Sequence, residues 1–173
     1  MNERIPILYD MKLRPEWIDF ALEQYLKCPD EEAHRKVLRE YLFTQMEGKE
    51  AAIKTASQLQ RNVGYRSSIP KDRLEELYRQ MSALAPEERT AIRLQILEES
   101  TPFFADCVTA LRKLKLLGIE CVSLRQMEER LAAKYGERET VHRRLRYVLQ
   151  TLALLGVIQN RDKRWFLINL PSV

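Results

Sequence analysis

Apolar residues recur along most of this chain at intervals of three and four, the spacing that puts side chains on one face of an α-helix. Trp17, Ile18, Ala21, Leu22, Tyr25 and Leu26 form one such stripe. It predicts a helix that opens at Pro15, where a proline suits the first turn, and runs to about Lys27, with Pro29 beyond its end. Asp30 is an N-cap for a second helix with Val37, Leu38, Tyr41 and Leu42 inward. Gly48 breaks the pattern, and Ala52, Ile53, Ala56 and Leu59 mark a third helix. Residues 62–70, with Gly64, Ser67, Ser68 and Pro70, read as a loop. Acidic helices are expected at about 71–84 and 87–99, with Pro86 at the start of the second. Thr101 and Pro102 then open a helix reaching about residue 117, lined on one side by Phe103, Phe104, Cys107, Val108, Leu111 and Leu114 and closed by Gly118.

From there the period changes. Ile119 to Val122 has the β-branched residues of a short strand. Ser123 with Gln126 three places on makes a capping box for a helix whose inner face is Leu124, Met127, Leu131 and Ala132, and Gly136 ends it. The next helix, about Glu137 to Leu155, has a single inward stripe of Val141, Leu145, Val148, Leu149 and Leu152. Gly156 terminates it. Val157 to Gln159 begin a strand, residues 160–163 form a turn, and Arg164 to Asn169 return as a second strand. Helix, strand, helix, helix, strand, turn, strand is the order of a winged helix-turn-helix. The expected fold is therefore mainly α, with an N-terminal helical domain at 1–100 and a winged helix-turn-helix with a small β-hairpin at 101–173.

Charge sharpens this picture. Residues 1–118 carry 19 Lys+Arg and 19 Asp+Glu, whereas residues 119–173 carry 10 and 6, which accounts for the net +4 of the whole chain. A local basic excess suits a polyanionic partner, because phosphate contacts supply most non-specific nucleic-acid affinity. Opposite the apolar stripe of the last helix lie Arg143, Arg146, Tyr147 and Gln150, flanked by His142 and Arg144. Arg pairs bidentately with guanine and Gln with adenine, so this is the chemistry of a major-groove helix. The hairpin tip adds Arg161, Lys163 and Arg164 for phosphates or an adjacent minor groove. The second and third helices, joined at Gly48, fit either a further helix-turn-helix or a plain bundle with a solvated face. Residues 33–66 hold 7 Lys+Arg against 3 Asp+Glu, and Lys49, Lys54 and Arg61 are candidates for a second basic contact.

Catalysis finds no footing. The pairs Glu75/Glu76, Glu87/Glu88, Glu98/Glu99 and Glu128/Glu129 are helix neighbours that point apart. Cys107 falls on an apolar stripe, as a core thiol does. There is no Gly-rich phosphate loop, zinc pattern or nucleophile elbow, and His34 and His142 stand alone, so no cofactor or metal is expected. Cys28, Cys107 and Cys121 are scattered, as in a reducing compartment. Met1 to Asp10 lacks the basic-then-apolar order of a secretory leader, and the longest apolar run, Leu152 to Ile158, is far short of the ~20 residues of a membrane span. A cytoplasmic protein without membrane contact is the expectation.

Leu13-Arg14-Pro15-Glu16, then Val37-Leu38-Arg39-Glu40, then a helix ending Leu59-Gln60-Arg61 resemble the opening of BrxA-type proteins, small helical components of the BREX bacteriophage-defence systems. The Thr101-Pro102-Phe103-Phe104 helix start fits the same pattern, and the likeness spans about residues 10–168. The resemblance implies an all-helical, non-enzymatic protein that binds double-stranded DNA beside other defence-system proteins, and it carries over no catalytic residue. Other functions fit the same module. A winged-helix transcriptional regulator would prefer one operator and form a symmetric dimer. A protein-interaction adaptor would use the winged helix structurally and dock a basic partner on the acidic helices of 71–99. The oligomeric state stays open at this point.

Overall fold

A computed structural model describes residues 5–171. The chain is mainly helical, with a small three-stranded antiparallel sheet near its C-terminus. It folds as two compact units. One is Leu13–Thr101; the other joins residues 5–12 to the chain from Pro102 onward. The N-terminal boundary thus lies later than the expected 1–100 domain places it, because residues 5–12 pack with the winged helix.

In the helical unit, α1 (Pro15–Lys27) has Pro15 in its first turn and buries Trp17, Ile18, Ala21, Leu22 and Tyr25. The Asp30 carboxylate accepts from the Ala33 amide and starts α2 (Glu31–Gln45). After Gly48, α3 (Lys49–Val63) lies at the centre of the unit, packed on α1, α2 and α5. Gly64 ends α3 because of a close approach. A Cβ there would stand 2.8 Å from the Gln60 backbone and 3.0 Å from the His34 ring. Next come α4 (Lys71–Ser82) and α5 (Thr90–Ser100).

The expected helix at 87–99 is shorter than its pattern suggests. Pro86–Glu88 is a single 3-10 turn, and Arg89 at the junction turns its guanidinium back to the Leu84 carbonyl and the Asp19 carboxylate. The carboxylates of α5 stand at its C-terminal end, Glu99 exposed, while much of the helix is core. Ile92, Arg93, Leu94, Ile96 and Leu97 are all buried. Arg93 makes a two-pronged pair with Asp19 of α1, Nε to Oδ1 at 2.8 Å and Nη2 to Oδ2 at 2.6 Å.

In the winged unit, α6 (Pro102–Leu116) leads through a turn at Gly118 (φ 83°) to β1 (Cys121–Ser123). The capping box forms as expected, Ser123 Oγ accepting from the Gln126 amide and the Gln126 side chain from the Ser123 amide, and α7 (Leu124–Tyr135) follows. Gly136 (φ 76°) turns the chain into α8 (Glu139–Leu154), and Gly156 (φ 81°) leads out of it. β2 (Gln159–Arg161) and β3 (Arg164–Phe166) close the sheet in the order β1-β3-β2. The hairpin turn is two residues, Asp162 and Lys163 at φ 50° and 66°, so Asn160 and Arg161 stand in β2 rather than in the turn. Ahead of these elements, residues 5–12 run as a strap along α8. Ile7 and Tyr9 are buried, and the Tyr9 hydroxyl bonds Thr151 Oγ1 at 2.7 Å.

Candidate nucleic-acid interface

The face of α8 opposite its buried stripe carries Arg143 and Arg146, both exposed, with Tyr147 and Gln150 half-buried beside them. The apolar spacing dictates this, since a residue two places from an inward one points to the opposite side of the helix. The hairpin folds over the C-terminal half of this face. Arg146, Gln150, Asn160, Lys163, Trp165 and Leu124 line one open groove. The structure therefore brings Arg146 and Gln150 of the helix together with Lys163 of the wing.

It separates the other wing cations from them. Cross-strand partners share a sheet face, and Trp165 is paired with Asn160 and Val122, whereas Arg164 is paired with Arg161 and Ser123. Arg161 and Arg164 thus lie on the face away from the groove. Arg161 rests over the Phe166 ring, 5.3 Å from its centre, and Arg164 lies beside Cys121. All three wing cations remain exposed.

Three candidates have structural employment instead. Arg144 is ion-paired with Asp10 and donates to the Ile7 carbonyl, 3.1 Å away, so it fastens the strap to α8. Its burial pulls its pKa down. His142 Nδ1 meets the Glu128 carboxylate of α7, which ties the two helices of the motif together. Arg61 is half-buried and donates to Gln58 Oε1 at 3.0 Å; burial and the neighbouring Arg66 charge lower its pKa. In the same unit Lys49 and Lys54 are exposed on the first turns of α3. Much of the rest of α3 is enclosed, with Gln58, Leu59, Gln60, Asn62 and Val63 all buried.

Two features escaped the sequence reading. Trp165 and Asn160 of the hairpin and Leu124 of α7 line the same groove as Arg146, Gln150 and Lys163. The strap at residues 5–12 explains Arg138 as well as Arg144, since Arg138 donates to the Ile5 carbonyl. No local pattern joins groups more than 130 positions apart.

The head of α8 is less basic than its middle. Glu137 and Glu139 are exposed there, near Glu128 and Glu129 of α7, with Arg125 and Arg138 the cations among them. Among the described residues no group of three His, Cys, Asp or Glu side chains could hold a metal ion, and no helix is long and apolar enough to cross a membrane. No family model matches the chain, and no curated protein matches it either.

Proposed function

We propose that this protein binds double-stranded DNA through its winged-helix unit, with largely sequence-tolerant phosphate contacts and no catalytic step of its own. The observation that carries this is the solvent face of α8, where Arg143 and Arg146 are exposed, and where Arg146 and Gln150 line one groove with Lys163 of the wing. A helix ~10–12 Å across suits a major groove about 12 Å wide. Arg143, Arg146, Tyr147 and Gln150 border that groove, with Arg143 and Arg146 on the phosphates along its edges, while Lys163 takes a backbone phosphate at the wing. The resemblance to BrxA-type proteins supports a role as an accessory component of a phage-defence system of the BREX type, acting in the cytoplasm with other defence proteins.

The test is fluorescence anisotropy of the full chain on duplex DNA across a salt series. Affinity is expected to fall linearly in log salt, by about 0.9 per phosphate contacted. The double variant Arg143→Ala/Arg146→Ala is expected to flatten that slope by about two contacts on every sequence tried. An unchanged slope removes α8 from the interface.

One observation favours a protein partner as well. Leu116 and Leu117 at the end of α6 are 81% and 70% exposed. Of the acidic surface expected at 71–99, Asp72, Glu75, Glu87, Glu88 and Glu99 are exposed, with Glu99 and Glu76 paired to Arg73 and Arg79.

A further inference from the structure

The groove between α8 and the hairpin contains a side chain that duplex binding does not use. Trp165 lines it, half-buried, with its cross-strand partner Val122 in the core on the same sheet face. Around the indole stand two amides, Gln150 and Asn160, two cations, Arg146 and Lys163, and the apolar Leu124.

These are complementary to a nucleotide: an aromatic face for the base, amides for its polar edge, and cations for the phosphates on either side. They are poorly matched to the interior of a duplex. There each base is covered above and below by its neighbours and offers only its edges. An indole in a groove can be covered only by a base that has left the stack. A second observation points the same way. Glu137 and Glu139, exposed at the head of α8, repel phosphates that lie over the α7–α8 turn, which shifts DNA contact toward the wing end of the helix.

We infer that this groove takes an unpaired nucleotide of DNA, with its base stacked on Trp165, its edge on Gln150 or Asn160, and the flanking phosphates on Arg146 and Lys163. The inference rests on the DNA-binding function above and specifies its substrate: duplex that carries a single-stranded end or gap.

The experiment compares two labelled duplexes of one sequence, blunt and with a short single-stranded overhang, by anisotropy and by tryptophan emission of the full chain. The chain has two tryptophans, and Trp17 is buried in the helical unit, so a change in emission reports Trp165. The overhang is expected to bind roughly tenfold tighter, the effect of one stacked base, and to quench the emission. Trp165→Ala is expected to erase that preference and leave blunt-duplex affinity in place. Because loss of the indole can loosen the hairpin, Asn160→Ala, at an exposed position, is the second variant and is expected to reduce the preference in part. Equal affinity for both duplexes with unchanged emission overturns the groove assignment and leaves duplex binding standing. Tighter binding to single-stranded RNA than to either duplex overturns the assignment to DNA. No binding to either duplex at low salt overturns both.

Discussion

Lys163 holds a left-handed backbone, φ 66°, at the second position of a two-residue turn where glycine is the favoured residue. A side chain there costs about 1 kcal/mol or more, so its presence at the wing tip sets stability against charge. Lys163→Gly is therefore expected to leave the melting temperature unchanged or raise it, while weakening DNA affinity by one phosphate contact; thermal unfolding and salt titration on the same sample read both. His34 illustrates the opposite case, a polar group enclosed by the core. Its Nε2 meets the Ala21 carbonyl at 2.9 Å, its Nδ1 has no partner, and burial lowers its pKa. The unfolded chain, with a histidine near 6.5, binds more protons than the folded one just below that pH, so stability is full above about 6.5 and falls as the pH drops toward the depressed folded value. Denaturant titrations at pH 7.5 and 5.5 are expected to show this loss, with His34→Gln removing that part of the dependence. Gly64 sits against the same ring, and Gly64→Ala, forced within 3.0 Å of backbone, is expected to cost about 1–3 kcal/mol.

Elements obey a local grammar, and where that grammar is complete the sequence is enough. Pro15, Asp30 and the Ser123/Gln126 box each stand at a helix start and do there what their chemistry predicts. The order of the winged unit follows from its stripes and from the glycines at 118, 136 and 156. What the grammar cannot express is which polar residues a distant partner draws into the core. The carboxylates of α5 sit at its C-terminal end, where Glu99 is exposed, whereas Arg93 in its middle is buried because Asp19 of α1 meets it. Arg89 joins the same carboxylate at 3.1 Å. Likewise Arg144 and His142 have the residue types of a groove-facing flank, and only the tertiary partners Asp10 and Glu128 reveal their structural use. Arg143 and Arg146 were legible because nothing distant competes for them among the described residues. The Asp19 node gives the strongest stability prediction. Asp19→Ala strands a buried guanidinium and is expected to destabilise the helical unit by roughly 3–5 kcal/mol in urea unfolding.

At the scale of the whole molecule the question is how many of the 29 Lys and Arg residues are free to meet DNA. In the helical unit many are committed to carboxylates of that unit: Lys27 to Glu23, Arg66 to Glu31, Arg73 to Glu99, Arg79 to Glu76, and Arg89 and Arg93 to Asp19. Such internal pairing returns the field of the unit to near neutrality at distances beyond the Debye length of ~10 Å. In the winged unit, Arg143, Arg146 and Lys163 are exposed on α8 and the wing. Lys49 and Lys54 are exposed too, but they stand beside the exposed Glu47 and Glu50. The salt dependence of DNA binding is therefore expected to belong to the winged unit. Lys49→Ala/Lys54→Ala should leave the slope of log affinity against log salt unchanged, while Arg143→Ala/Arg146→Ala should reduce it by close to two contacts of about 0.9 each. A slope lowered equally by both double variants would mean that DNA reaches both units, and the helical unit would then have to be counted as a second binding surface rather than as a scaffold.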